Sequence, residues 1–152
     1  MVDIIDYSDN YAEDFKQLNL EWLNKYNLAE DYDIEIINNP RTKILEQGGF
    51  IYLAKLEHKI VGTAGLAKEG DSVYELIKMT VAPELRGKGI GKMLIEKCLD
   101  KARQLGAKKI FLYSNSQLTT AISLYKKHGF VHIDPSGSHL ITADVKMELN
   151  LD

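Results

Sequence analysis

The sequence predicts an α+β protein with a mixed central sheet of about six or seven strands flanked by helices. A pair of amphipathic helical segments follows the first short strand. Apolar runs joined by short turns then predict an antiparallel hairpin series. A strand, a glycine-rich loop, a helix and another strand follow, which is the order of a β-α-β unit. The length of 152 residues suits one domain, and we expect it to span residues 1–152.

The N-terminal part of the chain predicts one strand and two helices. Val2 to Tyr7 is a short strand, and Ser8 or Asp9 can cap the helix that follows it. Asp31 to Asn38 predicts a second short helix, ended by Asn39-Pro40. The first helix carries one apolar stripe at helical spacing, which consists of Tyr11, Phe15, Leu18, Trp22 and Tyr26.

Three antiparallel strands are predicted next. Phe50 to Leu56 and Ile60 to Ala67 form a hairpin around the turn Glu57-His58-Lys59. Val73 to Val81 follows the turn Gly70-Asp71 and is apolar over most of its length. These runs predict the middle of the sheet.

The C-terminal part alternates helices and strands. A helix is predicted from Gly89 to about Leu105 and a strand from Lys109 to Ser114. A second helix is predicted from Thr119 to His128. Phe130 to Ile133 and the alternating run Ile141 to Leu149 predict the last two strands.

Composition narrows the class of protein. The net charge of −3 and the lack of a basic arm argue against nucleic acid as the main partner. No run of 18 apolar residues and no basic-apolar leader is visible, so we expect neither membrane insertion nor secretion. A single cysteine, Cys98, excludes an internal disulfide and suits a reducing compartment, which predicts a cytoplasmic protein.

The loop between the third strand of this series and the next helix carries the strongest functional signal. It reads Arg86-Gly87-Lys88-Gly89-Ile90-Gly91 and is followed by Lys92. Its glycines leave backbone N–H groups uncovered, and it ends on a helix N-terminus, so it can cradle a pyrophosphate. It is neither a P-loop, because Met93 follows Gly91-Lys92, nor a dinucleotide fingerprint, because the third glycine would fall on Lys92.

The loop fits the pattern Arg/Gln-x-x-Gly-x-Gly/Ala. Downstream, Ala121-Ile122-Ser123-Leu124-Tyr125 is followed by Gly129-Phe130, and upstream lies the strand Glu75 to Val81 with Pro83 after it. In this order, over about residues 50 to 133, the chain resembles the GNAT N-acetyltransferases. The resemblance implies the GNAT fold and acetyl-CoA as cosubstrate, with no metal.

The resemblance also implies where the coenzyme lies. It would occupy a cleft where the strand Val73–Val81 splays from Phe111–Ser114, since splaying leaves strand amides unpaired. The Met79 amide would hold the developing oxyanion and the Val81 amide the pantetheine arm. The pyrophosphate would lie on the residues Arg86, Gly87, Lys88, Gly89, Ile90, Gly91 and Lys92.

Two side chains are candidates for moving protons, and a third, Lys78, is an unexpected charge in an apolar strand. The Tyr125 phenol can donate a proton to the departing thiolate, although a packing role beside Phe130 is the alternative. Glu75 is a candidate base, but roughly 13 Å of strand separates it from Met79 at about 3.3 Å per residue, so a bulge or a water relay is required. The alternative is a surface glutamate. Lys78 either points to solvent or pairs with a buried carboxylate.

The remaining candidates concern binding. Many family members carry an asparagine where this chain has Leu118, and Asn115 is expected either to contact the coenzyme instead or to cap a turn. The acceptor pocket is predicted on the N-terminal helices, where carboxylates and aromatics suit an ammonium group. Its candidate residues are Trp22, Tyr26, Glu30 and Asp33. For the two aromatics, a core role is the alternative.

These observations predict an acetyl-CoA-dependent N-acetyltransferase that acts on the primary amine of a small molecule or peptide by direct attack in a ternary complex. Cys98 lies on the core stripe of its helix, which disfavours a covalent acetyl-enzyme. The alternative is a non-catalytic acetyl-CoA-binding module with the same fold. A homodimer is compatible with the sequence. The histidines show no metal-ligand spacing; they are His58, His128, His132 and His139.

Overall fold

A computed structural model describes residues 1–138 and 140–151, so that His139 lies outside the described residues. Its centre is a seven-stranded mixed sheet with the order β1-β2-β3-β4-β5-β7-β6. The strands are β1 (Val2–Asp6), β2 (Phe50–Leu56), β3 (Lys59–Lys68), β4 (Val73–Val81), β5 (Lys109–Ser114), β6 (Val131–Ile133) and β7 (Val145–Asn150). The helices are α1 (Ala12–Lys25), α2 (Asp31–Asn38), α3 (Pro40–Lys43), α4 (Ile90–Gln104) and α5 (Thr119–Lys127). Short 3₁₀ turns lie at Asp9–Tyr11, Leu45–Gln47 and Pro83–Leu85.

The predicted α+β class is confirmed, and most elements begin and end within a residue or two of their predicted bounds. The last strand is the main exception, because it begins at Val145 and not at Ile141. The preceding residues 141–144 make other contacts instead of pairing in the sheet. Glu30 accepts hydrogen bonds from Thr142, and Asp144 accepts hydrogen bonds from Ser116. The short helix α3 was not predicted. Pro40 ends α2 and at the same time occupies the first turn of α3, where its missing N–H is tolerated.

The two faces of the sheet hold separate hydrophobic cores. Alternate residues of β2 point to opposite sides, so that Leu53 lies in one core with Phe15 of α1 while Ala54 lies in the other core with Leu94 of α4. Helices α1 and α2 therefore cover one face and α4 covers the other. No helix in the described part of the chain is long and apolar enough to cross a membrane.

The sheet opens between β4 and β5. These two strands form its parallel pair, and their register runs only over Val73 with Lys109, Tyr74 with Ile110 and Glu75 with Phe111. Beyond Phe111, β5 continues to pair with β7 as far as Ser114, whereas β4 diverges from it. The predicted separation of these strands is thus present, and it begins directly after Glu75.

A β-bulge lies in β4 three residues beyond Glu75, the last residue of β4 that pairs with β5. Thr63 faces Thr80 and Gly65 faces Ile77, so one residue of β3 opposes two residues of β4. The extra residue is Lys78, whose φ of +52° lies in the left-handed region. A non-glycine residue there costs of order 1–3 kcal/mol unless its surroundings hold it.

Two contacts hold the bulge. The Thr63 hydroxyl donates a 2.6 Å hydrogen bond to the Lys78 carbonyl. The Lys78 ammonium donates to Asp33 of α2, and both side chains are buried. The structure therefore places Lys78 against a buried carboxylate and not in solvent.

Helix α1 braces the same region through a buried amide. Asn19 is fully buried, and its Nδ2 donates to the Phe15 carbonyl at 2.9 Å and to the Thr63 hydroxyl at 3.3 Å. Its Oδ1 accepts a 3.3 Å hydrogen bond from the Trp22 indole. A chain of polar contacts thus runs from α1 through β3 to the bulge.

Removing the Lys78 ammonium should destabilise the protein strongly. Lys78→Met leaves Asp33 as a buried unpaired charge, which typically costs about 3–5 kcal/mol. The double variant Lys78→Met/Asp33→Asn should recover most of that loss, because asparagine is neutral and its oxygen can still accept from the Glu30 N–H. Urea unfolding of both variants measures the difference. A double variant as unstable as the single one would contradict the ion-pair explanation.

Candidate active site

The separation of β4 and β5 creates a cleft with a cavity volume of about 560 Å³. Its floor is the diverging part of β4. The N-terminus of α4 and one face of α5 bound one end, and helices α1 and α2 with residues 140–143 bound the other. The two ends differ in chemistry, since the first offers helix amides and cations and the second offers aromatic rings and carboxyl groups.

The α4 end has the geometry of an anion cradle. Gly87 and Gly89 adopt φ values of +80° and +82°, and Gly89 caps the helix. The first backbone hydrogen bond of α4 runs from Met93 N–H to the Gly89 carbonyl, so the preceding N–H groups have no partner within the helix. A Cβ at Gly89 would meet nothing within 4 Å, whereas one at Gly91 would lie 3.3 Å from the Leu124 side chain. The space at Gly89 is open to a ligand, and the space at Gly91 is filled by packing.

The β4 edge presents backbone donors to the cleft. Ala82 N–H donates to the Val61 carbonyl of β3 at 2.8 Å. Because strand N–H groups alternate in direction, the N–H groups of Val81 and Met79 point away from β3, towards the side that β5 has left. These are the two amides to which the family resemblance assigns the pantetheine arm and the oxyanion.

Tyr125 lies on α5 and lines the cleft. Its ring is buried and packs against Phe130 with the ring centroids 5.9 Å apart. Burial, with a smaller effect of Cys98, raises the pKa of the phenol above its ordinary value of 10. The hydroxyl is therefore protonated at neutral pH, which is the state that a proton donor requires.

Glu75 is buried where the β4–β5 pairing ends, which is not the environment of a surface glutamate. Burial raises the pKa of its carboxyl to about 8, and Glu69 adds repulsion and a hydrogen bond, while Lys78 and Lys146 act in the opposite direction. The residue lines the cleft together with Met79, and the bulge lies between the two along β4.

The acceptor candidates divide into wall residues and bracing residues. Trp22 and Tyr26 line the cleft, as does Asp33, whose carboxylate is bound to Lys78. The Glu30 carboxylate is engaged by a different partner, the backbone and hydroxyl of Thr142 at 2.9 and 2.6 Å and the Ile141 N–H at 3.0 Å. Glu30 thus holds segment 141–142 against the N-terminus of α2.

Asn115 lines the cleft with both ends of its amide engaged. Its Nδ2 donates to the Thr142 carbonyl at 2.6 Å, and its Oδ1 accepts from Gln117 N–H at 2.9 Å. This is the geometry of a turn cap at the start of α5. A contact between Asn115 and the coenzyme stays a prediction.

The cleft brings together most of the candidates from both ends of the chain, and its lining includes Glu75, Met79, Val81, Arg86, Gly87, Gly89, Ile90, Gly91, Lys92, Asn115 and Tyr125. Lys88 and Glu30 are not among the lining residues. Sequence reasoning missed Thr142, because the run from Ile141 was interpreted as strand. It also missed Tyr32, whose position beside Asp33 in the acidic first turn of α2 was the available signal.

Comparison with known proteins identifies the family. The model of the Acetyltransferase (GNAT) family matches residues 12–130. The chain therefore belongs to the GNAT acetyltransferase family, as the motifs indicated.

Relatives agree with this assignment. The N-acetyltransferase YjgM of Escherichia coli is 37% identical over 97 residues, which are 60% of this chain and 58% of that protein. The N-acetyltransferase YvbK of Bacillus subtilis is 30% identical over 104 residues, which are 66% of this chain and 67% of that protein. The chain thus spans about 60 to 70% of the length of these relatives.

Solved structures share the fold over the whole chain. A GNAT-family acetyltransferase from Staphylococcus aureus Mu50 superposes with a TM-score of 0.92 at 26% identity, covering all of both chains. The paiA N-acetyltransferase from Thermoplasma acidophilum, solved with coenzyme A, has a TM-score of 0.78 at 21% identity and covers 99% of both chains. The yncA protein of Salmonella typhimurium, solved with acetyl-CoA, has a TM-score of 0.74 at 20% identity, covering all of this chain and 95% of that one.

A side chain at Gly89 should weaken coenzyme A binding. Gly89→Ala places a methyl group in the open space of the cradle, and we expect the dissociation constant to rise at least about tenfold, which is 1.4 kcal/mol. The matched control is Gly106→Ala at the other end of α4, where φ is +73° and the space is equally open. Calorimetry should show near-normal binding for the control, and equal losses in both variants would place the coenzyme elsewhere.

Glu75 should make stability depend on pH. Its raised pKa of about 8 means that the folded protein holds this proton more tightly than the unfolded chain does. The resulting stabilisation is fully present below the unfolded pKa near 4.5 and is lost as the pH rises towards 8.

Glu75→Gln should therefore gain stability relative to the parent protein as the pH is raised from about 4 to about 9. The control is Glu57→Gln, a change at an exposed residue of the β2–β3 turn, which should leave the pH dependence unaltered. Thermal unfolding across this pH range measures both. A constant difference between Glu75→Gln and the parent would mean that folding does not raise the pKa of Glu75.

Proposed function

We propose that this protein transfers the acetyl group of acetyl-CoA to a primary amine of a small molecule or peptide by direct attack in a ternary complex. The observation that carries the proposal is the β4 edge, which presents the amides of Met79 and Val81 between an anion cradle and an end lined with carboxyl groups. The coenzymes held by paiA and yncA support acetyl-CoA as the cosubstrate.

The coenzyme fits the cleft in one direction. Its pyrophosphate takes the free N–H groups at the start of α4, where the helix dipole and the Arg86 and Lys92 side chains favour an anion. The pantetheine arm then runs along β4 and bonds the Val81 amide. This direction brings the thioester carbonyl to the Met79 amide, where a donor stabilises the negative charge that develops on oxygen.

The chemistry needs two proton movements. The Glu75 carboxylate takes a proton from the ammonium group, directly or through water, and the free amine attacks the thioester carbon. As the tetrahedral intermediate collapses, the carbon–sulfur bond breaks and Tyr125 gives a proton to the thiolate.

Cys98 has a pKa of about 12 through burial and is fully buried in the core, which favours direct transfer over an acetyl-cysteine intermediate. A buried thiol also suits the cytoplasm.

The acceptor occupies the end bounded by α1 and α2. Trp22 and Tyr26 supply aromatic walls that suit an ammonium group and its apolar body. Because Asp33 is neutralised by Lys78, its role in acceptor binding is to fix the bulge and the wall. Glu30 acts on the acceptor through segment 141–142, which it holds in place.

The direct test is a mass-spectrometric screen. The protein is incubated with acetyl-CoA and pools of small amines and peptides, and products heavier by one acetyl group are sought. We expect acetylated amines that require both acetyl-CoA and the protein. Tight acetyl-CoA binding without any acetylated product would instead favour a non-catalytic binding module.

Tyr125→Phe should lower turnover with little effect on coenzyme binding. The variant keeps the ring against Phe130 but lacks the proton donor, so we expect kcat to fall by about 10²–10⁴-fold if thiolate protonation limits the rate. The matched control is Tyr52→Phe, at a buried tyrosine of β2, which should retain normal kcat. Normal turnover in Tyr125→Phe would contradict the acid role, and a parallel loss of coenzyme affinity would make Tyr125 a packing residue.

A further inference from the structure

Glu75 lies in a wall shared by two cavities. On one side is the cleft, with Met79 and the acceptor end. Glu75 also lines a smaller cavity of about 220 Å³, together with parts of α2, α3, β3 and β4. Among its lining residues are Lys43, Lys68 and Glu69. A buried carboxyl with access to both spaces can exchange a proton with either.

Glu69 is the acidic neighbour of Glu75 in the second cavity. It is exposed and begins the β3–β4 turn, where its N–H donates to the Val73 carbonyl at 2.9 Å. Its side chain is hydrogen-bonded to the Glu75 carboxyl. Two carboxyl groups can share a hydrogen bond only when one of them carries a proton, so this pair, which lines one cavity, can hold one proton in common.

We propose that Glu75 and Glu69 form a proton exit, in which Glu75 receives the acceptor's proton on the cleft side and Glu69 delivers it to solvent on the other side. The proposal rests on the proposed acetyl transfer. Glu75 is the residue that meets the acceptor, and Glu69 acts through it as a positioning residue.

The proton balance closes at each step. Glu69 first releases the shared proton to water in the second cavity, which leaves both groups as carboxylates. The ammonium group then loses a proton to the Glu75 carboxylate and becomes the attacking amine. The proton taken up by Glu75 is again shared with the Glu69 carboxylate, and Glu69 releases it to water in the same way. While product and coenzyme fill the cleft, this route lets Glu75 return to its carboxylate form before the next turnover.

The charged groups around Glu75 determine how a substitution at Glu69 should change the pKa of Glu75. Glu69 acts on the Glu75 carboxyl from the β3–β4 turn, Lys78 from β4 and Lys146 from β7. The negative charges of Glu75 and Glu69 both raise the pKa of Tyr32 in α2. Asp33 is bound to Lys78, and Lys43 and Lys68 line the second cavity. Of these groups, Glu69 is the one that raises the pKa of Glu75.

The test compares Glu69→Gln with Asp71→Asn, which removes one negative charge from an exposed residue of the same turn. Carbon-13 NMR of glutamate carboxyl groups follows Glu75 during a pH titration and needs no acceptor. We expect the Glu75 midpoint to move to lower pH in Glu69→Gln and to remain in place in Asp71→Asn. An unchanged midpoint in Glu69→Gln, or equal shifts in both variants, would overturn the shared proton.

Turnover on an amine found by the screen tests the exit itself. In Glu69→Gln we expect kcat to fall by about tenfold or more with acceptor KM little changed, and Glu69→Asp or a high concentration of a small carboxylic acid buffer to restore it. The pH at which kcat falls to half on the acidic side of its pH profile should equal the titration midpoint of Glu75 measured by NMR. A normal kcat in Glu69→Gln overturns the exit while acetyl transfer stands. An inactive parent protein overturns the proposed function, and the titration then still decides whether the two carboxyl groups share a proton.

Discussion

The buried ion pair between Lys78 and Asp33 is the interaction on which the site depends. It holds a lysine in the left-handed region, in the middle of a central strand, where an isolated lysine would not stay. The bulge that results inserts one extra residue into β4, three residues after the last residue of β4 that pairs with β5. The separated edge, with the Met79 and Val81 amides on it, is the surface on which we propose that the pantetheine arm and the thioester lie.

The same constraint explains why helices far from the glycine loop belong to the site. Asn19 of α1 reaches the bulge through Thr63, and Asp33 of α2 reaches it through Lys78. Glu30, at the start of α2, extends this bracing to segment 141–142 on the other side of the cleft. The carboxyl groups of Glu30 and Asp33, which were predicted to bind an amine, are therefore engaged in holding the walls of the cleft, and Glu75 is the cleft carboxyl that we propose for proton transfer.

Local sequence predicted what depends on local physics. Helical spacing gave α1 and α4, turn residues gave the β2–β3 hairpin, and the alternating glycines gave the cradle at Gly87 and Gly89. Each of these features depends only on residues close in sequence. The order of the family motifs along the chain predicted how the elements are arranged in the fold. The cleft between β4 and β5 was predicted from that order and not from any single segment.

What the sequence did not predict depends on pairing between distant segments. A bulge is a mismatch of one residue between β3 and β4, and no pattern within β4 alone reveals it. Likewise, the run from Ile141 alternates like a strand, but Glu30, more than a hundred residues earlier in the chain, binds its backbone at Ile141 and Thr142. Glu75 is buried because of the register between β4 and its neighbouring strands, and that register cannot be predicted from composition.

Hydrogen exchange at the β4 edge tests whether this strand binds the coenzyme. In the free protein, the amides of Met79 and Val81 should exchange rapidly although they lie in a central strand, while Thr80 between them should be protected by β3. Adding coenzyme A should slow Val81, and acetyl-CoA should slow Met79 as well. If both amides were as protected as Thr80 in the free protein, or if neither ligand slowed their exchange, the β4 edge would not be the surface that binds the coenzyme.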